Sequence, residues 1–201
     1  DLHLRAAEWF QDRDAVLYAE HLGQAGSVKA PAAFLQASRA EADAYRVDRA
    51  LEFAERGLAL LTADAERFDL TAHKADLLRE LGRPADGVGA WEEALTFAET
   101  DRQRCLAWIG IAAAERLMGL GERGLNVLDE AEAVARRDGM EKELAEIFYY
   151  RGSAAFFSAQ IEQCLGLQHE ALSHARLAGS YEWEAVALGG LADAEYARGR
   201  M

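Results

Sequence analysis

The sequence predicts an all-α protein, a solenoid of about five helix hairpins, on three observations. The first is composition: 51% hydrophobic and 28% charged residues, rich in Ala, Leu, Glu and Arg, with two prolines in 201 residues. These residue types lose little rotamer freedom in a helix, and alternating runs of Val, Ile and Thr that would mark strands are missing. The second is punctuation. Gly26, Gly82, Gly139 and Gly179 follow amphipathic segments, while Pro31 and Pro84 open them. The third is recurrence: a small residue stands midway along every second segment, at Ser38, Ala75, Ala112, Gly152 and Ala192, separated by 37, 37, 40 and 40 positions.

Taken in order, Leu2, Ala6, Trp9 and Phe10 share one face of a first helix, and a second follows after 11–14 and closes at Gly26. Pro31 sits in the first turn of the next helix, 32–45, where its missing N–H costs nothing. That helix pairs with 47–61, then 68–81 pairs with 84–98. Thr100 and Gln103 have the spacing of a capping box for 102–118, whose partner runs 122–137. A further pair spans 141–159 and 161–177, and Ser180 caps a last helix, 181–198. The chain therefore reads as a single repeat domain over 1–201. It holds a helix pair in 1–26, hairpins in 28–62, 65–99, 101–138 and 140–178, and an unpaired last helix in 180–199. The chain opens on Asp1 rather than Met, and the expectation is a piece of a longer protein.

The repeat has further registers. Four residues before each small position stand Phe34, Thr71, Trp108, Phe148 and Leu188. The second helices carry Gly57-Leu58, Ala94-Leu95, Ala131-Glu132 and Ala171-Leu172, each preceded seven residues earlier by Ala50, Gly87, Gly124 and Cys164. Small residues at fixed points let helix axes approach, and large ones fill the space beside them. A hairpin of this length cannot bury its own apolar faces, so such units stack in arrays. The pattern resembles the tetratricopeptide repeat, with Gly82, Pro84, Trp91 and Ala94-Leu95 as its clearest copy and a longer period, as in the MalT-like branch. Ala131-Glu132 departs from it. The opening LHLRAAEWFQDRDAVLYAEHL and the closing ALGGLADAEYARGRM resemble the helical region of large bacterial regulators that join such repeats to a STAND-type ATPase or a nucleotide cyclase. The resemblance implies a right-handed superhelix and a sensing or scaffolding role in the cytoplasm.

Chemistry is sparse. A net charge of −13 weighs against nucleic-acid and anionic-membrane partners, and no apolar run approaches the ~20 residues that span a bilayer. Cys105 and Cys164 stand on separate helices without metal or redox spacing and read as buried thiols. Gly119 to Gly124 spells GxGxxG, but it follows a helix, whereas the dinucleotide fingerprint needs a strand before it. His169 and His174 are five apart, ~140° around a helix, so they cannot share a metal as histidines four apart do. Paired carboxylates such as Glu92-Glu93 and Asp129-Glu130 decorate solvated faces. No catalytic residue, cofactor or metal ligand is expected.

The remaining candidate is the inner face of the first helices, which lines the concave groove in arrays that this chain resembles. Its registers hold Asp76 and Arg79, then Ile109 and Arg116, then Tyr149, Ser153 and Phe156, then Asp193 and Tyr196. Aromatic and Arg side chains in a strip are the usual anchors of a peptide or helix partner. Two placements stay open for Tyr149 and Phe156: the groove, or the core between repeats. The last helix carries Ala187, Leu188, Leu191, Ala192 and Ala194 with nothing after it to cover them, which predicts a homodimer through that helix. The leading functional expectation is a non-catalytic scaffold binding a protein or peptide segment, as the sensing arm of a larger regulator. A free-standing peptide-binding protein is the alternative, and an enzyme in its own right comes third.

Overall fold

The computed structural model describes residues 2–61, 66–119 and 121–199, and among these every regular element is a helix. They form two compact units, 1–98 and 99–201. The first holds α1 (Leu2–Phe10), α2 (Ala15–Gln24), α3 (Ala30–Asp43), α4 (Val47–Leu60), α5 (Arg67–Glu80) and α6 (Pro84–Thr96). The second holds α7 (Asp101–Arg116), α8 (Glu122–Asp138), α9 (Glu141–Phe157), α10 (Ile161–Leu177) and α11 (Tyr181–Ala197). Within each unit consecutive helices pack on one another. First helices of successive hairpins also touch: α3 meets α5, and α9 meets both α7 and α11. This is the neighbour pattern of a helical repeat.

The helix ends follow local chemistry. Thr100 accepts from the Gln103 N–H while the Gln103 side chain accepts from the Thr100 N–H, which completes the capping box. Ser180 accepts from the Trp183 N–H in the same way. After α5, Gly82 takes φ +71, and Pro84 then opens α6. Tyr45 and Ala159 make equivalent turns at φ 58 and φ 57 without glycine, a conformation that disfavours an L side chain.

The registers explain the packing. Ser38, Ala75 and Ala112 are fully buried, and so are Ala50, Ala94, Ala131 and Ala171 to within 1%. A Cβ at Gly57 would come within 2.9 Å of Leu70, so this position fixes how closely α4 approaches α5. Glu132, where the Ala-Leu pattern breaks, pairs with Arg136 at 2.6 Å and also with Arg151 of α9. The departure replaces an apolar contact with an ionic one between hairpins. In 99–201 the main core gathers Cys105, Leu128, Ile147, Phe148 and Leu172, and a smaller cluster joins Ala155, Cys164, Leu165 and Ala194.

The apolar side of the last helix is partly covered within 99–199. Ala187 and Ala194 are fully buried and Leu191 is half-buried, because α11 lays that side on α9 and α10. Only Leu188, at 45%, and Ala192 stay open, so the apolar face available to a second copy is smaller than the sequence suggested. Among the described residues, no helix is long and apolar enough to cross a membrane.

Candidate functional site

The expected strip falls on both units. In 1–98, Asp76 and Arg79 form an i,i+3 ion pair at 3.7 Å on α5. Crowding by surrounding atoms pushes the Asp76 carboxyl up to about 6, against the pull of Arg79, although 44% of the side chain still meets solvent. The Trp91 indole N–H is buried beside it without a full hydrogen bond, close enough to favour the charged form slightly.

In 99–201 the structure gathers a site. Arg116 from the end of α7, Tyr149, Ser153 and Phe156 from α9, and Asp193 from α11 line one cavity of about 300 Å³. Tyr149, Ser153 and Phe156 meet there because steps of four and three residues return to the same helix face. Both open placements hold in part for Tyr149: it lines the cavity, and its ring also packs at 5.3 Å from Tyr150 and 5.6 Å from Trp183. The Arg116 guanidinium lies over the Tyr149 ring at 6.0 Å.

Two members of the strip are placed elsewhere. Ile109 is 3% exposed and belongs to the core with Ala112, Leu144 and Phe148, so it is no groove residue. Its register matches Tyr149, but a short branched side chain is covered where a longer aromatic one projects. Tyr196, 72% exposed, does not line the cavity; it stands in the last turn of α11.

Other lining residues were missing from the expectation, Phe157, Gly189, Gly190 and Gln168 among them. Phe157, 71% exposed, sits at the cavity mouth and meets Phe156 edge-on at 6.0 Å. Gly189 and Gly190 of α11 contribute bare backbone. Gln168, 1% exposed, contributes a buried amide from α10. A sequence signal existed for Gln168: three residues before the small position of each second helix stand Ala54, Trp91, Leu128 and Gln168. A primary amide occupies a position that is otherwise apolar.

The electrostatics of the site are distinctive. Every other described arginine of 99–199 has a carboxylate partner, among them Arg102 with Glu143 at 2.8 Å, Arg123 with Glu115 at 3.3 Å and Arg176 with Glu184 at 2.9 Å. Arg116 has none among the described residues, and its buried Nε lacks any hydrogen-bond partner. The Cys164 thiol in the lining is pushed up by burial and by the nearby Asp193 charge, which keeps it protonated and a poor nucleophile. Elsewhere, His169 is exposed while His174 stacks on Phe148 and bonds Glu141 through Nδ1 at 2.6 Å, so the two histidines serve different sides of α10. In the GxGxxG stretch Leu120 lies outside the described residues, and Gly121 is the N-cap residue of α8. No protein-family model matches the sequence, and no curated protein matches it as a relative.

Proposed function

We propose that the chain is a non-catalytic binding scaffold of the tetratricopeptide kind, whose 99–199 unit holds a segment of a protein partner. The observation that carries this reading is the cavity itself: Arg116 and Asp193, neither with an ion-pair partner among the described residues, flank Tyr149, Phe156 and Phe157. In an acidic protein with 35 carboxylate and 22 basic side chains, an arginine without a partner is available to something outside the chain. Exposed aromatics beside it supply contact area at low entropic cost. The wider setting, a sensing arm of a larger cytosolic regulator, rests on the resemblance of the chain's two ends.

The test is to pan a displayed random-peptide library on the full chain, then measure the selected peptide against Arg116→Ala/Phe157→Ala. Both side chains reach solvent, so the thermal melt should be unchanged. An affinity loss of tenfold or more is expected. Unchanged affinity would place peptide binding elsewhere and overturn the reading.

A further inference from the structure

Leu188 and Ala192, the two residues left open on the expected face of α11, stand in a longer strip turned toward solvent. Tyr181, Ala185, Leu188, Gly189, Ala192 and Tyr196 are all exposed. At 3.6 residues per turn they fall within about 100° of one another, and none of them carries a charge. The strip is ~22 Å long. On a chain with 35 carboxylate and 22 basic side chains, an exposed strip free of charge has the composition of a contact surface.

The order of its residues says what it fits. The spacings are four, three, one, three and four, and the residues run Tyr, Ala, Leu, Gly, Ala, Tyr. From either end the spacing is the same, and so are the residues outside the central pair. A two-fold contact needs such a surface, because residue i meets j while j meets i. In two copies of α11 laid antiparallel, Tyr181 opposes the partner's Tyr196, Ala185 the partner's Ala192, and Leu188 the partner's Gly189. The small residues let the axes approach, and Leu188 fills the space that glycine leaves. A parallel pair would set each residue against itself, Leu188 on Leu188 and Glu182 on Glu182, with gaps at the small positions.

The area is enough for a weak contact. Tyr181 is 86% exposed and Tyr196 72%, which amounts to about 300 Å² per copy at ~200 Å² for a tyrosine. With the four central residues, two copies bury on the order of 1,000 Å², where specific interfaces begin. The rim opposes the contact. Glu182 and Asp193 lie along one edge with no ion-pair partner among the described residues, whereas Glu184 on the other edge is held by Arg176 at 2.9 Å. Salt screens such a rim.

We propose that this strip binds a second copy of the chain, the two α11 helices pairing antiparallel about a two-fold axis between Leu188 and Gly189. The dimer is weak, half-formed at roughly 100 μM, and salt tightens it. The pairing does not depend on what the cavity binds.

The experiment is sedimentation equilibrium of the full chain up to about five times that concentration. The average mass should rise toward twice the monomer, and more so at about 300 mM salt than at about 50 mM. Ala192→Glu and Ala185→Lys, both at exposed positions, should each weaken association at least tenfold. An equimolar mixture of the two should recover at least fivefold, because position 192 of one copy meets 185 of the other; recovery also shows that each variant is folded. A monomer at every concentration would overturn the proposal and leave the strip to a different protein. Association that survives Ala192→Glu would overturn it by placing the contact elsewhere. Rescue of Ala192→Glu by Ala192→Lys, and not by Ala185→Lys, would mean a parallel pair and would overturn it too.

Discussion

Two buried polar side chains, one in each unit, are handled in opposite ways. In 1–98, Ser38 is fully buried, donates to the Ala50 carbonyl at 2.6 Å and meets His73 Nε2 at 2.9 Å. Since the Ser38 proton is already committed, Nε2–H is the donor in the second contact, which sets the tautomer of His73. Burial, with help from the Arg39 charge, brings the His73 pKa down to about 4, so the ring is neutral at pH 7 and fits that role. In 99–201, Gln168 is as deeply buried yet keeps an orphan oxygen and opens on a cavity. The first polar group is closed by its own chain and adds definition to the core. The second is left open, which costs stability. An orphan atom alone does not make a site. The Thr71 hydroxyl is also buried and unpaired, but it lines neither the cavity at Leu35, Arg39 and Leu70 nor the one at Lys74, Arg83 and Glu93.

The strongest way to probe the open arrangement is to close its slot. Gly190→Ala puts a methyl group against the Gln168 amide, which is confined on the other side by Gly152. Overpacking of this kind costs about 1–3 kcal/mol in urea unfolding. The loss should mostly vanish in the background of Gln168→Ala, whose side chain matches Ala54 in the equivalent register of 1–98. Gly166→Ala in α10 is the control: an added Cβ there meets nothing within 4 Å, so helix propensity alone should raise stability by about 0.5–1 kcal/mol. If Gly190→Ala behaves like Gly166→Ala, the glycines are not there to admit Gln168.

Next comes a direct exchange between the two units. Ser38→Ala leaves the Ala50 carbonyl and the His73 N–H without their shared partner, and should cost about 1–2 kcal/mol. Gln168→Met removes an amide that satisfies little, so its stability should hold or rise. A large loss from Gln168→Met and none from Ser38→Ala would reverse the comparison.

Much of this could be seen in the sequence because helices are local. The stop at Gly82, the start at Pro84 and the capping box at Thr100 and Gln103 each depend on a few adjacent residues. Face membership is equally local, which is why Arg116, Tyr149, Ser153, Phe156 and Asp193 arrive at one cavity. Depth is not local. Whether Ile109 or Tyr149 reaches the surface depends on side-chain length and on what the next helix lays over it. Gln168 belongs to a second helix, outside the inner faces that the first helices define, although the series Ala54, Trp91, Leu128 and Gln168 carries its signal.

The smallest effect is a pH dependence that belongs to the closed arrangement. The His73 pKa is about 4 when folded and 6.5 as a free side chain, so folding favours its neutral form. Below pH 6.5 the unfolded chain gains a proton that the folded one refuses. Stability from this group is therefore complete above pH 6.5 and erodes as pH falls toward 4. Asp76 acts with the opposite sign over an overlapping range: its carboxyl, pushed up to about 6, resists ionisation in the fold, so its contribution falls as pH rises from 3.8 to 6. The two slopes partly cancel in the native chain. Unfolding measured from pH 7 to 4 in Asp76→Asn should therefore show a steeper loss on acidification than the parent. Adding His73→Gln should flatten it again. A profile that stays flat in Asp76→Asn would mean that His73 is protonated in place, and that the Ser38 network tolerates a charge there.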